Sequence, residues 1–180
     1  QLCLPQNSST QVVYYNRALF QDAGVAEPGE KWQWKDFHDA AKQLTRDIDK
    51  DGQIDTYGLD FDPDLVRMAP FVWQYGGRIV DSIENPKSLA LGSTASVIGL
   101  MFPKRLRTEV GVFPSPAERR AVGPEQRFLT GQLGMLIQSR RFTTTLRAAD
   151  RLDWDVAPLP RQKQAATLLH ADAYLSLIHI

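Results

Sequence analysis

Five oxygen donors in one short run, Asp47, Asp49, Asp51, Gln53 and Asp55, have the spacing best suited to chemistry. Carboxylates at the first, third and fifth positions, with Gly52 at the sixth and Asp55 at the ninth, can wrap a chain around a hard cation. Calcium takes about six to eight oxygens, and the Gln53 carbonyl would add one. The twelfth position is Gly58, where a helix–loop–helix calcium site carries a bidentate glutamate. Calcium is therefore the one cofactor the residues point to, with weak binding or none expected. An acidic turn ahead of a strand explains the same residues without a metal.

A second acidic group, Asp60, Asp62 and Asp64, follows immediately. Carboxylates there can accept hydrogen bonds from the hydroxyls of a sugar or other polyol, each worth about 1.5–3 kcal/mol. Asp64 also suits the cap of a helix beginning beside it. Catalytic patterns are scarcer. The chain has no phosphate-binding glycine loop and no Gly-x-Ser-x-Gly elbow. His38 lies in a helical pattern without the second histidine a zinc helix needs. His170 follows an apolar run. A hydrolase using Asp60 or Asp62 with His170 is one alternative, although nucleophile, base and orienting partner do not form a recognisable set. A calcium-stabilised adhesion module is another. The expectation is a protein that is not an enzyme.

These residues need a frame. With 180 residues, 43% hydrophobic and 23% charged, the chain can bury one sizeable core. Its 21 basic and 21 acidic residues cancel, unlike the basic footprint of a nucleic-acid binder. No stretch reaches the roughly 18 apolar residues of a membrane-spanning helix. Cys3 is the single cysteine, so no internal disulfide can form. The chain starts at Gln1, and its lack of a targeting segment says little about compartment. Residues 175–180 resemble read-through of a sequencing adaptor, and His179 carries no functional weight.

Val12 to Tyr15 reads as a strand, Asn16 as the cap of a helix through Ala23, and Gly24 as its end. Trp34, Phe37, Ala41 and Leu44 mark one helix face, and Leu65, Met68, Ala69 and Val72 another, closed by Gly76-Gly77. Tyr57 to Phe61 reads as a strand between them. Residues 81–93 read as loop, and a helix from Thr94 should end or kink at Pro103. A short helix from Pro124 to Leu129 precedes an apolar strand, Leu133 to Ile137. Helix is expected from Phe142 to Ala149, and strands at Trp154–Ala157 and Ala166–Leu169. Alternating strands and helices define an α/β layer fold. Trp34, Phe37, Leu44, Met68 and Val72 are expected in its core.

Several segments together resemble the bacterial extracellular solute-binding proteins, the family that includes maltose-binding protein. They are Val13–Phe20 with Ala23-Gly24, Trp34–Phe37, Asp49–Gly58, Trp73–Gly77, Phe128–Met135 and Asp155–Pro160. Six segments in order span nearly the whole chain. The resemblance implies one lobe of a two-lobed, type II periplasmic-binding-protein-like fold with a hinged cleft. Residues 1–12 would be the first crossover and the start of the lobe, 13–169 a single α/β lobe, and 170–180 the second crossover. The implied work is solute capture and delivery to the membrane permease of an ABC importer, in a periplasmic or extracellular location, with a lipid anchor as one form of retention. The small-molecule solute would be a sugar or another polyhydroxylated compound. The cleft would involve Asp60, Asp62 and Asp64 after one strand, Gln138, Ser139, Arg140 and Arg141 after another, and Asp172 in the second crossover. Arg140-Arg141 stands where many sugar binders in the family carry a tryptophan. That departure raises the expectation of an acidic sugar.

Overall fold

Strand β1 (Cys3–Asn16) organises the fold, and it is much longer than its β-branched, aromatic part. The computed structural model describes residues 3–108, 110–149 and 152–175, so residues 176–180 lie outside the described part. Along β1 the side chains alternate between faces. Val13 and Tyr15 enter the larger core cluster, while Tyr14 enters a second one with Phe128, Leu136 and Phe142. The sheet is thus covered on both faces.

The Asn16 side chain accepts from Leu19 N at 3.2 Å and starts α1 (Arg17–Asp22). Helix α2 (Trp34–Leu44) opens with a capping box, in which Asp36 accepts from Gln33 N at 2.8 Å. It buries Trp34, Phe37, Ala40, Ala41 and Leu44. Strand β2 (Tyr57–Asp60) packs against it. Gly58 makes the approach possible, because a Cβ there would lie 1.8 Å from the Ala41 carbonyl oxygen. Helix α3 (Leu65–Gln74) is capped by Asp64, and α4 (Thr94–Thr108) packs on it where Gly99 touches Val72.

Helix α5 (Pro116–Ala121), helix α6 (Pro124–Leu129) and strand β3 (Leu133–Ser139) follow. After a 3-10 turn (Arg140–Phe142) come α7 (Thr143–Arg147), β4 (Trp154–Ala157) and β5 (Leu169–Leu175). The sheet order is β2-β3-β1-β4, with β5 pairing the outer half of β1. β2 and β3 are parallel, and the pairs made by β1 are antiparallel. Cys3 faces Leu175 and Thr10 faces Leu169. Cys3–Thr10 and Leu169–Leu175, covering most of the described part of the two expected crossovers, therefore form one ribbon continuous with the lobe.

Three sequence expectations are corrected. Helix α4 passes through Pro103 instead of ending there. Proline removes one helical hydrogen bond, but Leu106 beyond it is buried and Phe102 before it stacks on Trp34 at 4.1 Å. The last strand begins at Leu169 and not at Ala166, whose carbonyl accepts from Gln74 Nε2 at 2.9 Å instead. Phe142 belongs to the 3-10 turn, and α7 ends at Arg147. Trp34, Phe37, Leu44 and Val72 are buried, whereas Met68 is half-buried against the core. Among the described residues no helix is long and apolar enough to cross a membrane.

Candidate functional site

The outer part of β1, the end of β3 and the first turn of α3 converge on a cavity of about 470 Å³. From β1 come Ser9, Thr10 and Gln11; from α3, Val66 and Arg67; from α6, Glu125. Gln138, Ser139 and Arg141 close another wall, with His170 on β5. Antiparallel pairing sets Gln11 opposite Ser139, and the β1–β5 ribbon sets Ser9 opposite His170.

Hydrogen bonds fix most of these side chains. Ser9 Oγ and Ser139 Oγ are 2.6 Å apart. The Ser139 carbonyl accepts from Tyr14 OH at 3.2 Å, which draws the end of β3 onto the sheet. Arg67 Nη2 donates to Gln138 Oε1 at 3.1 Å, and Gln138 Nε2 donates to Glu125 at 2.6 Å. Arg67 also pairs with Asp64 and lies 4.0 Å from Asp62. Asp172 is 3.1 Å from His170 Nε2 and 3.7 Å from Arg141. Hydrogen bonds from Asn7 and then His170 hold the Asp172 carboxyl below its ordinary range. The charged groups around the cavity are largely matched with one another.

The expected site residues fall in distinct places. Gln138, Ser139 and Arg141 line the cavity together, and Asp172 adjoins it through Arg141 and His170. Arg140 is exposed in a neighbouring recess of about 440 Å³, which Arg141, Ser8 and Ser9 also line. The acidic trio does not line the cavity. Asp64 caps α3, and Asp62 is shared between Arg119 and Arg67. Asp60 points inward with no solvent exposure, its carboxylate 2.9 Å from Arg119 Nε. Burial, only partly offset by Arg119, pushes its pKa up to about 6. Asp60 Oδ1 accepts no hydrogen bond among the described residues, but Asp60 does not line the cavity, so a solute held there does not meet it.

Gln11, Arg67 and Glu125 were not anticipated. The three-residue spacing of Asp64 and Arg67 on a helix was a usable signal. Gln11 and Ser9 share the strand periodicity of Val13, but two polar residues ahead of an apolar run do not look like a strand.

In the acidic loop, Asp47, Asp49 and Asp55 bring carboxylate oxygens within 4.8 Å of one another. Asp51 and Gln53 stand outside that trio, and Gln53 N and Nε2 both donate to Asp51, at 2.7 and 3.0 Å. Asp47 accepts from Lys50 N at 2.7 Å and Gly52 N at 2.9 Å, and Asp55 from Ile48 N at 2.6 Å. The acids thus serve as acceptors that shape their own turn. Gly58 is committed to packing on α2 and supplies no ligand.

The α/β lobe with a polar cavity at one edge of its sheet is the architecture of a two-lobed, type II binding protein, seen here as one lobe. A family profile, that of the bacterial extracellular solute-binding proteins, matches residues 2–174, and the chain belongs to that family. The family is one of solute-binding proteins and not of enzymes, and its place is periplasmic or extracellular. The ABC substrate-binding protein Lmo0181 of Listeria monocytogenes, solved with cycloalternan, is 29% identical with a TM-score of 0.86; the match covers 96% of this chain and 42% of that one. A solute-binding protein of Thermotoga lettingae, solved with α-D-tagatose, gives 19% identity and a TM-score of 0.76, over 96% of this chain and 44% of its own. UgpB of Mycobacterium tuberculosis, solved with glycerophosphocholine, gives 24% and 0.75, over 95% and 41%. The last two share the fold. The chain spans about two fifths of the length of these structures. No curated protein matches it significantly.

Proposed function

We propose that this lobe is half of the solute-capturing site of an ABC importer's binding protein, taking a sugar or other neutral polyhydroxylated compound. The carrying observation is the cavity of about 470 Å³, whose wall combines amide, hydroxyl and guanidinium groups. Such a wall offers donors and acceptors in balance, as a polyol requires. The pairing of Arg67 with Asp64 and of Arg141 with Asp172 favours a neutral solute over the acidic sugar inferred from the arginine pair alone. The complex of the Listeria relative with cycloalternan supports the same class.

In this reading the β1–β5 ribbon leads to a second lobe, which closes over the solute by a hinge movement. A membrane permease receives the closed form, and lipid attachment is one means of keeping the protein near it. Capture, and not catalysis, fits a site where Asp60 is sealed under Arg119 and His170 is bonded to Asp172.

Calorimetric titration of the full-length protein with neutral saccharides and with the matching sugar acids tests this. Binding of a neutral saccharide is expected, with Arg141→Ala weakening neutral and acidic solutes to a similar degree. Selective loss of the acidic solute would restore the acidic-sugar reading. Binding of neither kind would remove the proposal.

A further inference from the structure

We infer that Gln11 anchors the solute and sets its polarity: its side-chain oxygen accepts a hydrogen bond from a solute hydroxyl. The inference rests on the saccharide reading of the cavity and adds a particular contact to it.

The reason begins in α3, which contains Pro70. In an α-helix each N–H donates to the carbonyl four residues back, so Pro70 leaves the Val66 carbonyl without its helical donor. The proline ring also crowds that carbonyl. Gln11 Nε2 takes the vacant place, donating to Val66 O at 3.1 Å. This contact fixes which way the amide points, since the reverse orientation would set two oxygens against each other.

Gln11 Oε1 is left over. It is buried and has no partner among the described residues, and Gln11 as a whole is 7% exposed. Two neighbouring donors are turned elsewhere: Arg67 serves Gln138 and Asp64, and Thr167 donates to the Gln11 backbone carbonyl at 3.0 Å. A buried acceptor without a donor is uncommon and costly, and at a binding wall it marks where a ligand donor belongs. Gln11 lines the cavity, so the donor comes from that side. A hydroxyl fits. A carboxylate or phosphate oxygen at the same spot would be repelled, so a solute presents a neutral edge to β1.

The test uses full-length protein and calorimetry with maltotriose and with cycloalternan. Gln11→Met keeps size and removes both the acceptor and the donor to Val66 O. It is expected to weaken binding roughly tenfold, as one lost hydrogen bond to a desolvated partner does, and to lower ligand-free thermal stability modestly through the unpaired Val66 carbonyl, a loss that Pro70→Ala in the same chain makes good without restoring affinity. Pro70→Ala gives α3 back its N–H, competes for Val66 O and frees the Gln11 amide to turn. It is expected to weaken binding by a smaller factor in the wild-type background and to have no effect on affinity in the Gln11→Met background. Unchanged affinity in Gln11→Met would overturn the inference, as would loss of ligand-free stability with affinity retained. A wild-type protein that binds neither saccharide would remove the saccharide reading itself, and this inference with it.

Discussion

Arg119 on α5 reaches across to Asp60 at the end of β2, setting its guanidinium 2.9 Å from a carboxylate with no solvent exposure. The same guanidinium donates to the Phe61 carbonyl at 3.2 Å and to Asp62 at 3.0 Å. One side chain therefore ties a short helix to the segment leading into α3. Arg119→Ala would leave the Asp60 carboxylate buried and unpaired, which typically costs about 3–5 kcal/mol. Urea denaturation at pH 8 should show a loss of that order. A loss below about 1 kcal/mol, the range of a surface pair, would mean that the clasp contributes little.

The same carboxyl makes stability depend on pH. Its ordinary pKa of 3.8 rises to about 6 in the fold, with burial the main cause. Between those values the folded chain holds a proton that the unfolded chain has released. This group's contribution to stability is thus largest at acid pH, falls as pH rises from about 4 to 6 and is level above, a change on the order of 3 kcal/mol. Asp60→Asn abolishes the titration. The difference in unfolding free energy between wild type and Asp60→Asn should therefore shift over that interval. A constant difference from pH 4 to pH 8 would contradict the raised value.

Gly58→Ala tests the seat of α2 on β2. The added Cβ would meet the Ala41 backbone carbonyl at 1.8 Å, and backbone cannot rotate away. Overpacking of this kind costs about 1–3 kcal/mol, so the thermal midpoint should fall by several degrees, on the order of 5 °C. An unchanged midpoint would show that α2 shifts without penalty.

The acidic loop is expected to bind calcium weakly or not at all, since Gly58 offers no carboxylate and the loop acids already accept backbone N–H groups. Calorimetric titration with calcium chloride should give no micromolar affinity. An Asp49→Ala variant should show the same calcium response as wild type. Micromolar binding abolished by Asp49→Ala would establish a metal site.

The sequence alone determined the local frame: the helix face of α2, the caps at Asn16 and Asp64, the apolar strand β3 and the family signature spread along the chain, whereas on α3 it found Ala69 and Val72 but also placed the exposed Leu65 on the buried face and left out Phe71. These features are legible because side-chain periodicity and capping chemistry act over a few residues. Strand β5 was misplaced because Leu169 and Tyr174 are exposed, so no apolar alternation marks it. Only the tertiary structure decided the partners. It turned Asp60 inward because Arg119, 59 residues further along, arrives from α5 to meet it. It made Gly58 a packing residue and not a failed metal ligand, because α2 lies against β2. It carried Gln11 to Val66 because a proline four residues beyond that carbonyl had removed the helical donor. Each outcome depends on which distant group comes within about 3 Å, the reach of a hydrogen bond, and no local pattern encodes that distance.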